Sequence, residues 1–190
     1  MTLAARFPRL NECLQRFEQH RLLVAFVITF AIFAFYSLRL EAPPLWCCDT
    51  RQYWELGQSF LKSGHFRFLD FDQTYRGYLL SMMLAFLQSI GAAVGVNPFR
   101  VFFAFNAAVT SAALAVVVPL LVRSFTGQLP RTWQIFGFAL LFFTFWRGFL
   151  LFPMSDTWSV FLAILAIWLM IESLGRSGAS ALSFALLAGV

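Results

Sequence analysis

Four long apolar runs constrain this chain more than any single residue does. They are Leu22 to Leu38 (17 residues), Val101 to Val122 (22), Ile135 to Leu151 (17, with Arg147 near its end) and Trp158 to Ile171 (14). An α-helix rises about 1.5 Å per residue and a bilayer's hydrocarbon core is about 30 Å thick, so such runs cross it, or nearly so with snorkelling ends. Composition agrees: 60% of residues are hydrophobic and 12% charged, against roughly 45–50% and about 25% in soluble domains. No period-two alternation extends over strand lengths, which argues against a transmembrane β-barrel. The expectation is an all-α polytopic transmembrane helix bundle.

Two further runs are ambiguous. Tyr78 to Val96 is broken by Ser81, Gln88, Ser89 and glycines, so the sequence leaves open whether it crosses or lies at the interface. The last, from Ser180 to Val190, is eleven residues long and too short to span. Residues 1–190 are therefore expected to form the amino-terminal transmembrane module of a larger or shortened polytopic protein, incomplete at its C-terminus.

The first run reads as a retained anchor. Twenty-one residues precede it, and Glu41-Ala42-Pro43-Pro44 is a poor small-residue cleavage site. Arg6, Arg9, Arg16 and Arg21 before it place the N-terminus in the cytoplasm by the positive-inside rule, with the plasma (inner) membrane as the expected location. The net charge of +5 is met by this asymmetry and calls for no nucleic acid. Cys13, Cys47 and Cys48 form no disulfide framework, and Cys47-Cys48 without nearby histidines is a weak metal signal.

Charge concentrates in Glu41 to Gly77, which holds Asp49, Arg51, Glu55, Lys62, His65, Arg67, Asp70, Asp72 and Arg76 among tryptophans, tyrosines and phenylalanines. Between Thr50 and Ser63, Tyr53, Leu56, Gly57 and Phe60 recur at i, i+3, i+4 and i+7, which predicts an amphipathic juxtamembrane helix in the first external loop. Asp49 opens that helix and Asp156 opens the fourth apolar run; each follows an apolar stretch and is followed by threonine. If Tyr78 to Val96 crosses fully, the two carboxylates face opposite sides. If it does not, both lie outside, and Arg123, Arg131 and Arg176 join the N-terminal arginines in the cytoplasm. Charge placement favours the second arrangement.

The order Asp49-Thr50-Arg51-Gln52-Tyr53-Trp54-Glu55-Leu56-Gly57, then Gly64-His65-Phe66, Tyr75-Arg76-Gly77-Tyr78-Leu79 and Phe152-Pro153-Met154-Ser155-Asp156-Thr157 resembles the start of the GT-C superfamily of polyprenyl-phosphate-dependent glycosyltransferases. The likeness is to its protein O-mannosyltransferase and lipid A aminoarabinose transferase branch, whose matching acidic residues lie in the first and second external loops. Family members are usually much longer, and many carry prolines where this chain has Arg76-Gly77. The resemblance implies an inverting membrane glycosyltransferase that moves a sugar from a polyprenyl-phosphate donor to an acceptor on the periplasmic or lumenal side. It implies Asp49 as the base, and Asp156 holding the acceptor or sharing a divalent cation with Asp49. Arg147 would grip the donor phosphate, with Arg51, Tyr53 and Arg76 as further substrate-binding candidates.

Plainer roles stand beside these. Both aspartates suit helix N-caps, Arg147 suits snorkelling, Glu55 suits a solvated helix face and His65 a loop. Two other classes fit the same chain: a transporter or flippase-like protein for lipid-linked or small substrates, and a noncatalytic remnant.

Overall fold

The computed structural model describes residues 20–39, 48–63, 78–153 and 155–174; within these, nothing is described of the side chains of Cys48, Tyr78, Ser155, Asp156 and Thr157. The described residues are helical, with no strand among them. We number the helices α1 (Arg21–Leu38), α2 (Cys48–Ser63), α3 (Tyr78–Val94), α4 (Pro98–Thr126), α5 (Thr132–Trp146) and α6 (Ser155–Leu174). By length and hydropathy α1, α4 and α5 with the turn that follows it can cross a membrane, while the apolar stretches of α3 and α6, Leu79–Val94 and Trp158–Leu174, are shorter.

Side-chain packing sets the helix directions. Ala25 of α1 meets Ala115 and Ile135, farther along Phe33 and Ala34 meet Ala107, Leu114 and Leu150, and Tyr36 packs beside Phe102, Phe103 and Leu151. Residue numbers rise along α1 and α5 as they fall along α4, so α4 runs antiparallel to both. In α6, Trp158 stacks on Phe105 at 5.0 Å and Glu172 accepts a hydrogen bond from Ser124 at 3.0 Å, so α6 runs with α4. The bundle therefore has an Asp49 end, where α1 finishes and α2, α4 and α6 begin, and an Arg131 end, where Arg21 donates to the Pro130 carbonyl at 3.4 Å.

This answers the question left by Tyr78 to Val96 as far as chain direction is concerned. The chain leaves α1 and re-enters through α4 at the same end, so the stretch between them makes no net passage to the other, and α3, antiparallel to α2, runs back toward the Asp49 end. Its polar interruptions also have a structural use. Ser81 and Gln88 are buried, and Gln88 Nε2 donates to the Trp54 carbonyl of α2 at 3.3 Å.

Helix ends follow local chemistry. Asn97 caps α4, its side chain accepting from the Phe99 N–H at 3.0 Å, with Pro98 in the first turn where no N–H is required. Gly127 ends α4 with φ at +73°, a left-handed conformation that suits glycine. Within α4, Pro119 has no N–H for the carbonyl four residues back, and the preceding turn, Ala113–Val117, is a π-helix in which the Val118 N–H reaches the Ala113 carbonyl. The sequence run Ile135 to Leu151 divides: α5 stops at Trp146 and a tighter 3₁₀ turn, Arg147–Leu151, completes it.

Candidate functional site

The site predicted from sequence lies at the Asp49 end, and α2 is the element that organises it. Polar residues on one face and a broad apolar face on the other make α2 amphipathic, and it spends that apolar face on protein. Tyr53, Trp54 and Phe60 are buried, as are Thr50 and Gly57. Trp54 stacks on Phe99 with ring centres 4.5 Å apart and meets Phe102 edge-on at 6.0 Å, joining α2 to the first turns of α4. Such aromatic pairs contribute about 0.5–1.5 kcal/mol each beyond the area they bury. Gly57 allows the helices to touch: a Cβ there would lie 3.1 Å from the Ala85 nitrogen and 3.2 Å from the Ser81 carbonyl oxygen of α3.

The predicted face was correct but too narrow. Trp54 is as buried as Tyr53, and Thr50, Tyr53, Trp54, Gly57 and Phe60 together line a stripe that turns toward the bundle. The spacing of Trp54 to Gly57 and Leu61, i+3 and i+7, carries this wider stripe in the sequence.

Asp49 is exposed and sits one residue inside α2, so it is a first-turn carboxylate that favours the positive end of the helix dipole. Asp156 is likewise the second residue of α6; its side chain lies outside the described residues. Both aspartates thus stand within their helices rather than just before them. The two helix starts share one end of the bundle, because Leu151, four residues before Ser155, joins the same buried cluster as Tyr53 and Trp54. Asn106 fastens this corner by donating from Nδ2 to the buried Leu150 carbonyl at 3.0 Å.

Arg147 opens the 3₁₀ turn at the same end and is exposed. Its Nη1 donates to the Thr144 carbonyl at 3.1 Å and its guanidinium lies 5.9 Å from the centre of the Phe143 ring. Arg51 pairs with Glu55 one turn on, Nε to Oε1 at 2.6 Å, on the exposed face of α2. The hydrogen bond and charge of Glu55 raise the Arg51 pKa above its ordinary value. Tyr53 is only 8% exposed and packs within the aromatic cluster. Arg76, His65, Arg67, Asp70 and Asp72 lie outside the described residues.

Two buried donors here were not singled out from sequence: Trp158 Nε1 and Ser81 Oγ have no hydrogen-bond partner among the described residues. Their signal was weak, since neither residue type is unusual in an apolar helix. Asp49 is exposed, and among the described residues no three histidine, cysteine or acidic side chains gather closely enough to hold a metal ion; the side chain of Asp156, the other ligand of the shared-cation reading, lies outside the described residues. Comparison with family models, with curated proteins and with solved structures returns no match to this chain.

Proposed function

We propose that this chain is the membrane module of a GT-C-like, inverting glycosyltransferase that takes a sugar from a polyprenyl-phosphate donor and passes it to an acceptor at the outer surface. The observation that carries the reading is the docking of α2: Trp54 and Tyr53 hold the helix that begins at Asp49 against the same end of the bundle where Arg147 and the start of α6, with Asp156, are found. A lipid-borne donor enters from the membrane, so a useful base must stand at the membrane surface on a rigid support, and α2 supplies both conditions.

In this reading Asp49 removes the proton from the acceptor O–H or N–H as that atom attacks the sugar's anomeric carbon. The bond from that carbon to the phosphate oxygen breaks, the electron pair leaves with the phosphate, and the configuration inverts. Arg147, already oriented by the Thr144 carbonyl, neutralises the departing phosphate. Asp156 orients the acceptor. The N-terminus is cytoplasmic and the Asp49 end external, in the plasma membrane.

The test is transfer from a polyprenyl-phosphate sugar by the complete protein carrying this module in proteoliposomes. Asp49→Asn should lower the rate by at least about 10²-fold, the scale of lost general-base catalysis. Asp156→Asn should also impair transfer, Arg147→Lys should weaken donor binding, and Glu55→Gln should be mild because Glu55 is exposed and pairs with Arg51 on its own helix. A near-normal rate in Asp49→Asn at unchanged expression and melting temperature would leave this aspartate a first-turn stabiliser. Movement of the lipid donor between leaflets without sugar transfer would instead make the protein a flippase.

A further inference from the structure

Three arginines gather at the Asp49 end around Tyr36. The ring of Tyr36 meets Phe143 of α5 edge-on at 5.4 Å and packs against the buried cluster that holds Phe102 and Phe103 of α4. Arg39 lies three residues past Tyr36, Arg147 four residues past Phe143, and Arg100 two residues before Phe102 on a helix that runs the opposite way. Each therefore stands within about one turn, roughly 5.4 Å, beyond the same aromatic contact and toward the same surface. Arg100 also lies two turns before Ala107, along the face that α4 turns to α1. Neighbouring helix axes lie about 8–10 Å apart, a gap that arginine side chains from three helices can close on one small anion.

All three are exposed, and none forms an ion pair among the described residues. Glu55 is taken by Arg51, which leaves Asp49 as the other described carboxylate at this end. Arg39 rests its guanidinium 5.0 Å from the centre of the Phe35 ring, and Arg147 spends one N–H on the Thr144 carbonyl, so most donors of each fork stay open. Helix dipoles account for Arg39 and Arg147, which stand at C-termini, but not for Arg100, a cation in the first turn of α4 where the dipole disfavours it. Nor does topology call for it, since the positive-inside rule collects basic residues at the opposite end.

We propose that Arg39, Arg100 and Arg147 form a receptor for the phosphomonoester end of a membrane lipid. A phosphomonoester carries about −1.5 to −2 charge at neutral pH and three acceptor oxygens, so it answers three arginine forks better than a phosphodiester with its single charge. The exposed indole of Trp146, one residue before Arg147, sets this level at the headgroups, which selects a lipid-borne phosphate over a free one. The receptor rests on the membrane placement alone; its meaning for transfer rests on the glycosyltransferase reading. There the donor is a phosphodiester and the lipid product a phosphomonoester, so the three arginines gain hold as the bond from sugar to phosphate breaks, and Arg39 and Arg100 join Arg147 in stabilising the leaving group.

Native mass spectrometry of the protein released from phosphatidylcholine vesicles doped equally with phosphatidic acid and phosphatidylglycerol, all with identical acyl chains, tests the receptor. Phosphatidic acid adducts should exceed phosphatidylglycerol adducts by about fivefold, the pull of one further charge paired with a basic residue at a membrane surface. Arg39→Gln and Arg100→Gln should each remove a large part of that preference at an unchanged melting temperature, and the double variant nearly all of it. Arg39→Lys should keep most of it, and Arg123→Gln, at the opposite end, should leave it intact. Equal adducts on the parent protein, an undiminished preference in the double variant, an equal loss in Arg123→Gln, or displacement of phosphatidic acid by millimolar inorganic phosphate would each overturn the proposal. In proteoliposomes, added polyprenyl phosphate should inhibit transfer by the parent and inhibit Arg39→Gln less. Selective phosphatidic acid binding without any sugar transfer would support the receptor and sink the glycosyltransferase reading, whereas transfer inhibited equally in parent and Arg39→Gln would overturn the leaving-group role.

Discussion

The two ends of this bundle are packed by different means. At the Asp49 end, large aromatic rings close the structure: Trp54, Phe99, Phe102, Phe103 and Tyr36 interlock around Leu84 and Leu87. At the Arg131 end the buried contact is small, Ala25 and Ala115 with Ile135 of α5, and beside it a groove opens between α4 and α5. A rigid platform and an open groove thus arise from one helix, α4, whose phenylalanines are concentrated in its first turns and whose alanines and valines follow. Residue volume along a single helix decides which end is sealed.

If that contrast is correct, disturbance at the sealed end should be costly and disturbance at the open end cheap. The largest effect is expected for Trp54→Ala, which removes the ring contacts with Phe99 and Phe102 and leaves a void between α2 and α4. A loss of about 3–5 kcal/mol, typical of Trp→Ala in a packed core, should appear as a lowered melting temperature and as new reactivity of a cysteine placed on the buried face of α2. A variant as stable as the parent would mean that α2 is not clamped by its aromatic face.

Gly57→Leu should come next. Its side chain would meet the α3 backbone, which cannot retreat as a flexible side chain can. Overpacking typically costs about 1–3 kcal/mol, and here it should separate α2 from α3 and weaken the Gln88 bond to Trp54. Infrared or hydrogen-exchange measurement should find the amides of α2 exchanging faster while α4 and α5 stay protected.

The smallest change is expected for Val122→Ala at the open end. A half-exposed residue lining a groove supports little packing, so stability should move by less than about 0.5 kcal/mol. A loss comparable to that of Trp54→Ala would show that the groove is as tightly packed in the membrane as the aromatic end, and the contrast would fail.

Much of this architecture is written in the sequence, because membrane helices depend on continuous hydrophobicity. The runs at Leu22, Val101, Ile135 and Trp158 became α1, α4, α5 and α6, and the spacing of Tyr53, Gly57 and Phe60 marked a helix with one face for burial. The candidate aspartates were visible for a related reason: a carboxylate beside an apolar run stands out where charge is scarce. Other features depended on neighbours far along the chain. Whether Tyr78 to Val96 carried the chain to the opposite end turned on the antiparallel packing of α1 and α4, a relation between residues some seventy positions apart such as Phe33 and Ala107. That Trp54 is covered by Phe99 and Phe102 was not legible either, since amphipathic periodicity names the apolar face and not what covers it. The π turn before Pro119 and the groove beside it likewise required the path of α5. Local hydrophobicity thus determined which segments are helices and which faces are apolar, while tertiary packing alone decided which of those faces meet protein and which stay exposed.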